Sequence, residues 1–294
     1  MNKHTVLIVG GSGLIGQSLK SHFEQLSYNV RILSRQKKSK YYWNPKKNEF
    51  DNNALYDVDF VINLCGSSID KRWTKNTKKE IYSSRINSTR FLIEKINSHN
   101  QKIKKYIGVS AIGFYNYGSL IKNENSKNGN HFLSQICYEW EKQTSKLNNI
   151  PFCLLRLGVV LSKKGGMLKK LLAPFSMNLG SGLGNGRQKI SWVHINDVSR
   201  MIIYCIKHEK NEIFNCVSPN PVSNKEFSKS LAMILRKKKW LPNIPSFLLK
   251  IIFGEMSSMI TGNLNVSSKK IEQSGFKFHF PQLNEALKNL TSKK

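Results

Sequence analysis

The first half of the chain alternates two rhythms of apolar residues. Short apolar runs at Thr5–Val9, Val30–Leu33, Phe60–Leu64, Lys105–Val109 and Phe152–Leu157 read as strands. Between them, apolar residues recur at helical spacing: Ile15, Leu19, Phe23 and Leu26, then Ile81, Leu92 and Ile96, then Phe132, Ile136 and Trp140. Each set marks the buried face of a helix. Strands alternating with helices predict an α/β fold: a Rossmann-type, doubly wound parallel sheet with helices on both faces.

The rhythm changes in the second half. Residues 162–189 carry Gly165, Gly166, Gly180, Gly182, Gly184 and Gly186 around one helical pattern, Met167–Leu172. From about Phe214, four prolines punctuate further helices at Asn224–Arg236 and Ser246–Phe253. This predicts a smaller C-terminal α/β substrate lobe over the C-terminal edge of the sheet. The Rossmann domain is placed at 1–160 and 190–212, and the lobe at 161–189 and 213–294. Phe247–Phe253 is short and carries Lys250, so it reads as a packed helix. No apolar run reaches the ~18 residues of a membrane span, and no membrane partner is expected.

Composition changes this picture little. The length of 294 residues suffices for one large α/β core or two modest domains. Five cysteines, none in CxxC spacing, lie mostly within apolar patterns, which points to reduced thiols and no metal site. The formal charge of +29 comes from scattered lysines, which with abundant Asn and Ile fit AT-rich codon usage. No basic stripe is interleaved with aromatics, so no specific nucleic-acid partner is expected, only weak attraction to polyanions. The apolar run at Thr5 is too short for a signal sequence and leads straight into glycines. The mature chain is therefore expected to begin here, in the cytoplasm, or in an organelle stroma if organelle-encoded.

Chemistry enters at Gly10. Gly10, Gly13 and Gly16 form a GxxGxxG pattern after a strand and before an amphipathic helix. In that setting the glycines permit a tight turn, a close pyrophosphate and close helix packing. The helix start, with Leu14 and Ile15, aims its N–H groups at the anion. A purely structural glycine turn is the alternative. Where the second strand ends, Ser34 and Arg35 stand in place of an acid that would grip a ribose 2′-hydroxyl. Arg35 offers a fork for a 2′-phosphate, so NADP is expected ahead of NAD; the alternative is one more surface cation. Leu64, Cys65 and Gly66, ending the third strand, are expected beside the cofactor.

The segments GGSGLIG (10–16), VINLCG (61–66), KRWT (71–74), SRINST (84–89), SAIGFY (110–115), CYEWE (137–141), GNGRQKISWVHINDV (184–198) and GFKFHFPQLNEAL (275–287) carry a resemblance. The chain resembles the atypical "epimerase family" subgroup of the extended short-chain dehydrogenases/reductases. That subgroup joins an NAD-dependent epimerase/dehydratase domain to a C-terminal domain of unknown function. The resemblance implies a Rossmann core, bound NADP(H), and a Ser110 that contacts cofactor and substrate oxygen. It also implies that Leu133 and Cys137 replace the usual Tyr and Lys, and Arg85 the usual Asn. Leu133 cannot move a proton, and Cys137 cannot supply the charge that activates a phenol.

Other groups are candidates for the missing chemistry. Tyr115 is a substitute acid or a wall aromatic. His194 is an acid/base or a structural histidine. Asp197 reads as a cap for a helix starting near Val198. Lys71, Arg72, Arg85 and Arg187 are candidates for a cationic pocket that takes a small anionic substrate. Two readings stay open: an NADP-dependent enzyme that reduces, epimerises or dehydrates, and an NADP-binding regulatory or scaffold protein without turnover, for example in cell division. The oligomeric state, a homodimer included, is open as well.

Overall fold

Thr5–Val9 forms β1, and Val6 to Val9 are wholly buried, as expected of a strand covered on both faces. The computed structural model describes residues 3–99, 103–208 and 210–292. After β1 come α1 (Leu14–Gln25), β2 (Asn29–Ser34), β3 (Tyr41–Asn44), β4 (Glu49–Phe50), β5 (Phe60–Asn63), α2 (Lys75–Tyr82) and α3 (Ser88–Asn97). Next are β6 (Lys105–Ala111), α4 (Phe132–Thr144), β7 (Phe152–Leu157), β8 (Val159–Leu161), α5 (Gly166–Ser176), β9 (Lys189–Ile190), β10 (Trp192–His194) and α6 (Ile195–Ile206). The chain ends with β11 (Glu212–Cys216), β12 (Val222–Ser223), α7 (Asn224–Ile234), α8 (Ser246–Phe253), α9 (Ser257–Thr261), α10 (Lys269–Gln273) and α11 (Leu283–Thr291).

The main sheet runs β11-β7-β6-β5-β1-β2-β3-β4, and all its pairs are parallel except β3 with β4. From β1 the chain proceeds outward through β2 and β3, then returns to β5 on β1's other side. That reversal opens a crevice at the C-terminal ends of β1 and β5, where such sheets bind ligands. Phe23 of α1 and Met201 and Ile202 of α6 cover one face; Phe91, Leu92 and Ile96 of α3 cover the other. This is the doubly wound Rossmann sheet that the apolar rhythm predicts.

The structure differs from the sequence reading in three places. Residues 213–216 belong to the main sheet, not to the lobe: β11 is its edge strand, and Phe214 and Cys216 are buried in its core. Pro219 and Pro221 interrupt the chain only after that strand is complete. Second, α6 starts at Ile195, with His194 as its N-cap. Asp197 lies in the first turn, fully buried, and accepts hydrogen bonds from the backbone N–H groups of His279 (2.8 Å) and Phe280 (2.9 Å) and from Arg200 (2.9 Å). It clamps the C-terminal segment to the Rossmann core rather than capping a helix. Third, α8 is not a packed helix: Leu249 is its one buried residue, while Phe247, Leu248, Ile251 and Ile252 are exposed.

Outside the main sheet lie two small ones, β8 with β10 and β9 with β12, so residues 190–194, expected in the Rossmann domain, are not part of its sheet. Helices α5, α7 and α11 share a core of Leu168, Phe175, Trp192, Phe227, Leu231 and Leu287. All five cysteines are buried and free. No helix among the described residues is long and apolar enough to cross a membrane.

Candidate functional site

The three crest glycines have different physical reasons to be glycine. Gly10 has φ +83°, and a Cβ there would lie 2.9 Å from the Leu64 carbonyl oxygen. At Gly16 a Cβ would lie 2.5 Å from Gly11 Cα, so the helix can seat on the turn only without one. Gly13 has an ordinary φ of −74°, and the one atom near its absent Cβ is the Gly10 carbonyl oxygen at 3.3 Å. That contact is tight, so the Gly10 carbonyl would have to give by a few tenths of an ångström, and the rest of the space beside Gly13 is open. Gly13 is also the N-cap of α1, with no side-chain cap. The first-turn N–H groups of Leu14, Ile15 and Gly16 therefore keep their donors for an anion. Leu14 meets the start of α5, where a Cβ on Gly165 would come within 3.3 Å of it. The lobe thus closes over the crest.

Two further strand ends complete the cradle. The Ser34 hydroxyl accepts the Gln36 N–H at 3.1 Å, a turn that leaves Arg35 exposed. Arg35 lies within electrostatic reach of Cys65 at the end of β5. On β5, the Asn63 carboxamide donates to Thr89 and to the Tyr106 hydroxyl, both at 2.9 Å, and accepts the Cys65 N–H at 3.0 Å. This buried network shapes the turn carrying Leu64, Cys65 and Gly66. The uncapped crest and the space at Gly13 fit the pyrophosphate of a nicotinamide dinucleotide, and Arg35 stands exposed at the neighbouring strand end.

Arg85 sits in a single π-helical turn, Ser83–Asn87, between α2 and α3. Such turns re-aim side chains and recur at functional sites. The Arg85 guanidinium donates to the Ser67 carbonyl at 3.0 Å and lies over the Trp140 ring. A Cβ on Gly66 would come within 3.1 Å of it. Ser84 locks the same turn by accepting the Ser67 N–H at 3.0 Å. Burial pulls the Arg85 pKa below its usual value, with the Cys137 and Cys65 thiols acting in the other direction. No carboxylate of the described residues pairs with it.

Ser110, at the end of β6, is 2% exposed, and its hydroxyl has no hydrogen-bond partner. The Cys137 thiol lies beside it and is pushed up to about 11, chiefly by burial and then by Glu141. At neutral pH Cys137 is a protonated thiol. Leu133 packs one turn earlier in an apolar cluster with Trp73, Ile86, Val109 and Met256. The structure thus groups Arg85, Cys137 and Ser110 beside the turn that carries Cys65 and Gly66.

The other candidates lie elsewhere. Tyr115 is wholly buried; its hydroxyl donates to Asn215 at 2.6 Å and accepts from Arg156 at 2.9 Å. Burial pushes it up to about 12. We assign it to a structural network centred on the buried Arg156–Glu141 pair, not to proton transfer. His194 stacks on Phe280 at 3.9 Å and accepts the Asn196 N–H. Burial lowers it to about 4, and its neighbours are those of the α6 cap, not of Ser110. Arg187 lies on the exposed turn beside Lys225 and Asn243, braced by Asn185. Arg72 packs against Gly254, and Lys71 is exposed. The expected pocket of four cations thus reduces to Arg85 at the site, with the rest on surrounding loops. Gln188, in the same glycine-rich loop as Arg187, is buried with an unpaired side-chain oxygen and donates to the carbonyls of Leu183 and Ile260. No pattern in the chain signals the π turn.

Comparison with known proteins agrees with this geometry. The profile of the NAD dependent epimerase/dehydratase family matches residues 6–216, and that of a domain of unknown function, DUF1731, matches residues 244–290. The chain is 34% identical to the epimerase family protein YfhF of Bacillus subtilis over 97% of both chains. It is 33% identical to an epimerase family protein of Mycobacterium leprae, covering 99% of this chain and 97% of that one. The crystal structure of human epimerase family protein SDR39U1 (isoform 2) with NADPH superposes with a TM-score of 0.90 at 26% identity, over 97% and 98% of the two chains. The chain therefore belongs to the NAD dependent epimerase/dehydratase family, in the atypical branch that carries a DUF1731 domain at its C-terminus.

Proposed function

We propose that this chain is an NADP(H)-dependent oxidoreductase of the epimerase/dehydratase type that acts on a small anionic substrate. The observation that carries the reading is Arg85: a half-buried guanidinium without a carboxylate partner among the described residues, grouped with the buried Ser110 hydroxyl and the Cys137 thiol at the cofactor crevice. A half-buried guanidinium without a counter-ion offers a planar fork of donors, and an anionic substrate group complements it. Bound NADP(H) supplies hydride. Ser110 would donate a hydrogen bond to a substrate oxygen, and Arg85 would stabilise negative charge developing there. The human relative crystallised with NADPH supports the choice of dinucleotide.

A screen of anionic metabolites for NADPH oxidation, NADP reduction or isomerisation tests the reading. With a substrate in hand, Arg85→Ala and Ser110→Ala are each expected to lower kcat/KM by on the order of a hundredfold or more. Cys137→Ala is expected to cost far less, because the protonated thiol only fills volume. A folded, NADP-bound Cys137→Ala protein without activity would instead make the thiol catalytic. A second reading, NADP binding without turnover, is favoured by one observation: Leu133 and Cys137 occupy the positions of the usual proton-transfer pair. A screen without any turnover selects it.

Cofactor preference has its own test. NADP is expected to bind more tightly than NAD by about tenfold or more, and Arg35→Ala is expected to narrow that gap while leaving NAD affinity nearly unchanged. Calorimetric titration with both dinucleotides decides; equal affinities in the unmutated protein contradict the assignment.

A further inference from the structure

Helix α8 turns apolar side chains in two directions. At about 100° per residue, Leu249 and Phe253 share one face, and Phe247, Leu248, Ile251 and Ile252 share the opposite one. Leu249 is 1% exposed and Phe253 packs beside the cluster around Met256. The opposite face is bare: Phe247 is 63% exposed, Ile251 66% and Ile252 58%. A helix that is apolar all round belongs in a core or against an apolar phase.

The segment leading into α8 extends this surface. Trp240 is 66% exposed, and its indole N–H donates to the Asn178 carbonyl at 2.9 Å. Asn178 is flanked by Met177 and Leu179, which are also exposed. The Lys238 N–H donates to the Asn178 side chain, and Ile244 pairs with Leu183. Residues 177–183 are thereby pinned along 238–244, which runs directly into α8.

The charge around this surface is of one sign. No Asp or Glu occurs between Glu226 and Glu255, and that interval holds Lys229, Arg236, Lys237, Lys238, Lys239 and Lys250. No acid occurs between Glu141 and Asp197 either, the interval that holds Met177 and Leu179. Lys238 and Lys250 are exposed and lack a carboxylate partner among the described residues. A second copy of the chain placed on this face would oppose lysine to lysine. Anionic lipid headgroups complement it, with the indole and phenyl rings at the headgroup level.

We infer that α8 and the Trp240 segment dock this protein on the surface of an anionic lipid bilayer. The helix lies in the interface and does not span it. The expectation of no membrane partner rested on span length alone and did not address this mode.

Vesicle sedimentation tests the inference on the full chain at ~0.15 M salt, with phosphatidylcholine vesicles and with vesicles that are about one-third phosphatidylserine. Binding is expected to the serine-containing vesicles, at least about tenfold tighter than to phosphatidylcholine alone. The double variant Phe247→Ser, Ile251→Ser alters exposed positions only. It is expected to keep its melting temperature and to bind at least about tenfold more weakly. Of the five tryptophans, only Trp240 is exposed, so vesicles are expected to shift the emission to the blue in the native chain and not in Trp240→Phe. Binding equal in the double variant means charge attraction alone and overturns the inference. So does absence of vesicle binding, including the case where the native chain is a dimer and the double variant a monomer.

Discussion

Gly13→Val is expected to raise the dissociation constant for NADP by at least about a hundredfold, ~2.7 kcal/mol, while the protein without cofactor stays folded. The three crest glycines differ in why they are glycine, and Gly13 is the one that separates binding from folding. Its φ of −74° is open to any residue, and only the Gly10 carbonyl oxygen stands near the new Cβ, at 3.3 Å. A β-branched residue at an N-cap costs about 1 kcal/mol relative to glycine, and the Gly10 carbonyl must give by a few tenths of an ångström, together a few degrees of Tm. The branched side chain projects into the volume assigned to pyrophosphate and covers the uncapped N–H groups of α1. Gly16→Val is the contrasting control: its Cβ would lie 2.5 Å from Gly11 Cα, so it is expected to disrupt the crest itself. Calorimetry with NADP and thermal denaturation together decide. A folded Gly13→Val protein that binds NADP normally would sink the crest as the pyrophosphate site.

Glu141→Ala is expected to destabilise the protein by about 3–5 kcal/mol, the range for removing one partner of a buried ion pair. Arg156 and Glu141 meet through two hydrogen bonds, 2.9 Å and 2.8 Å, with side chains only 4% and 9% exposed. Burial alone would lower the Arg156 pKa; Glu141 and then Tyr115 hold it above its usual value. The guanidinium also lies 3.6 Å from the Phe114 ring centroid and donates to the Tyr115 hydroxyl and the Glu124 carbonyl. Without Glu141 it is a buried charge that none of these neutral groups can neutralise. Adding Arg156→Met to Glu141→Ala is expected to recover much of the loss, since the orphaned charge is then gone. Denaturant titration of both variants measures this. A loss below about 1 kcal/mol in the single variant would show that water reaches the guanidinium.

How far the sequence could be read follows from which interactions are local. β1 and β7 have the limits that their apolar runs predict, because a strand buried on both faces declares itself in a few consecutive residues. The glycine crest was equally legible, since turn, close approach and packing each demand the same residue type at fixed spacing. β11 was not. Its run from Glu212 to Cys216 sits near prolines, and only the parallel pairing with β7 makes it part of the sheet. The grouping of Ser110 with Cys137 and Arg85 was expected through resemblance and not from periodicity. Periodicity gives no sign of the π turn that aims Arg85. Arg187 and Arg85 looked like partners because both are arginines in polar stretches, yet their neighbours are set by loops far apart in sequence. For α8 the pattern was legible and its meaning was not: apolar content predicts burial, and only the coordinates show which side is left bare.

The Asp197 clamp has a consequence for synthesis on the ribosome. The Rossmann strands, including β11, are complete by residue 216, well before the chain ends. The fully buried carboxylate in the first turn of α6 receives two of its three hydrogen bonds from His279 and Phe280. Until those residues emerge, the carboxylate lacks two of its three hydrogen-bond donors and keeps Arg200 as its side-chain partner. The half made first is thus finished last. The clamp ties the second profile-matched region, 244–290, to the first, 6–216, through one buried carboxylate.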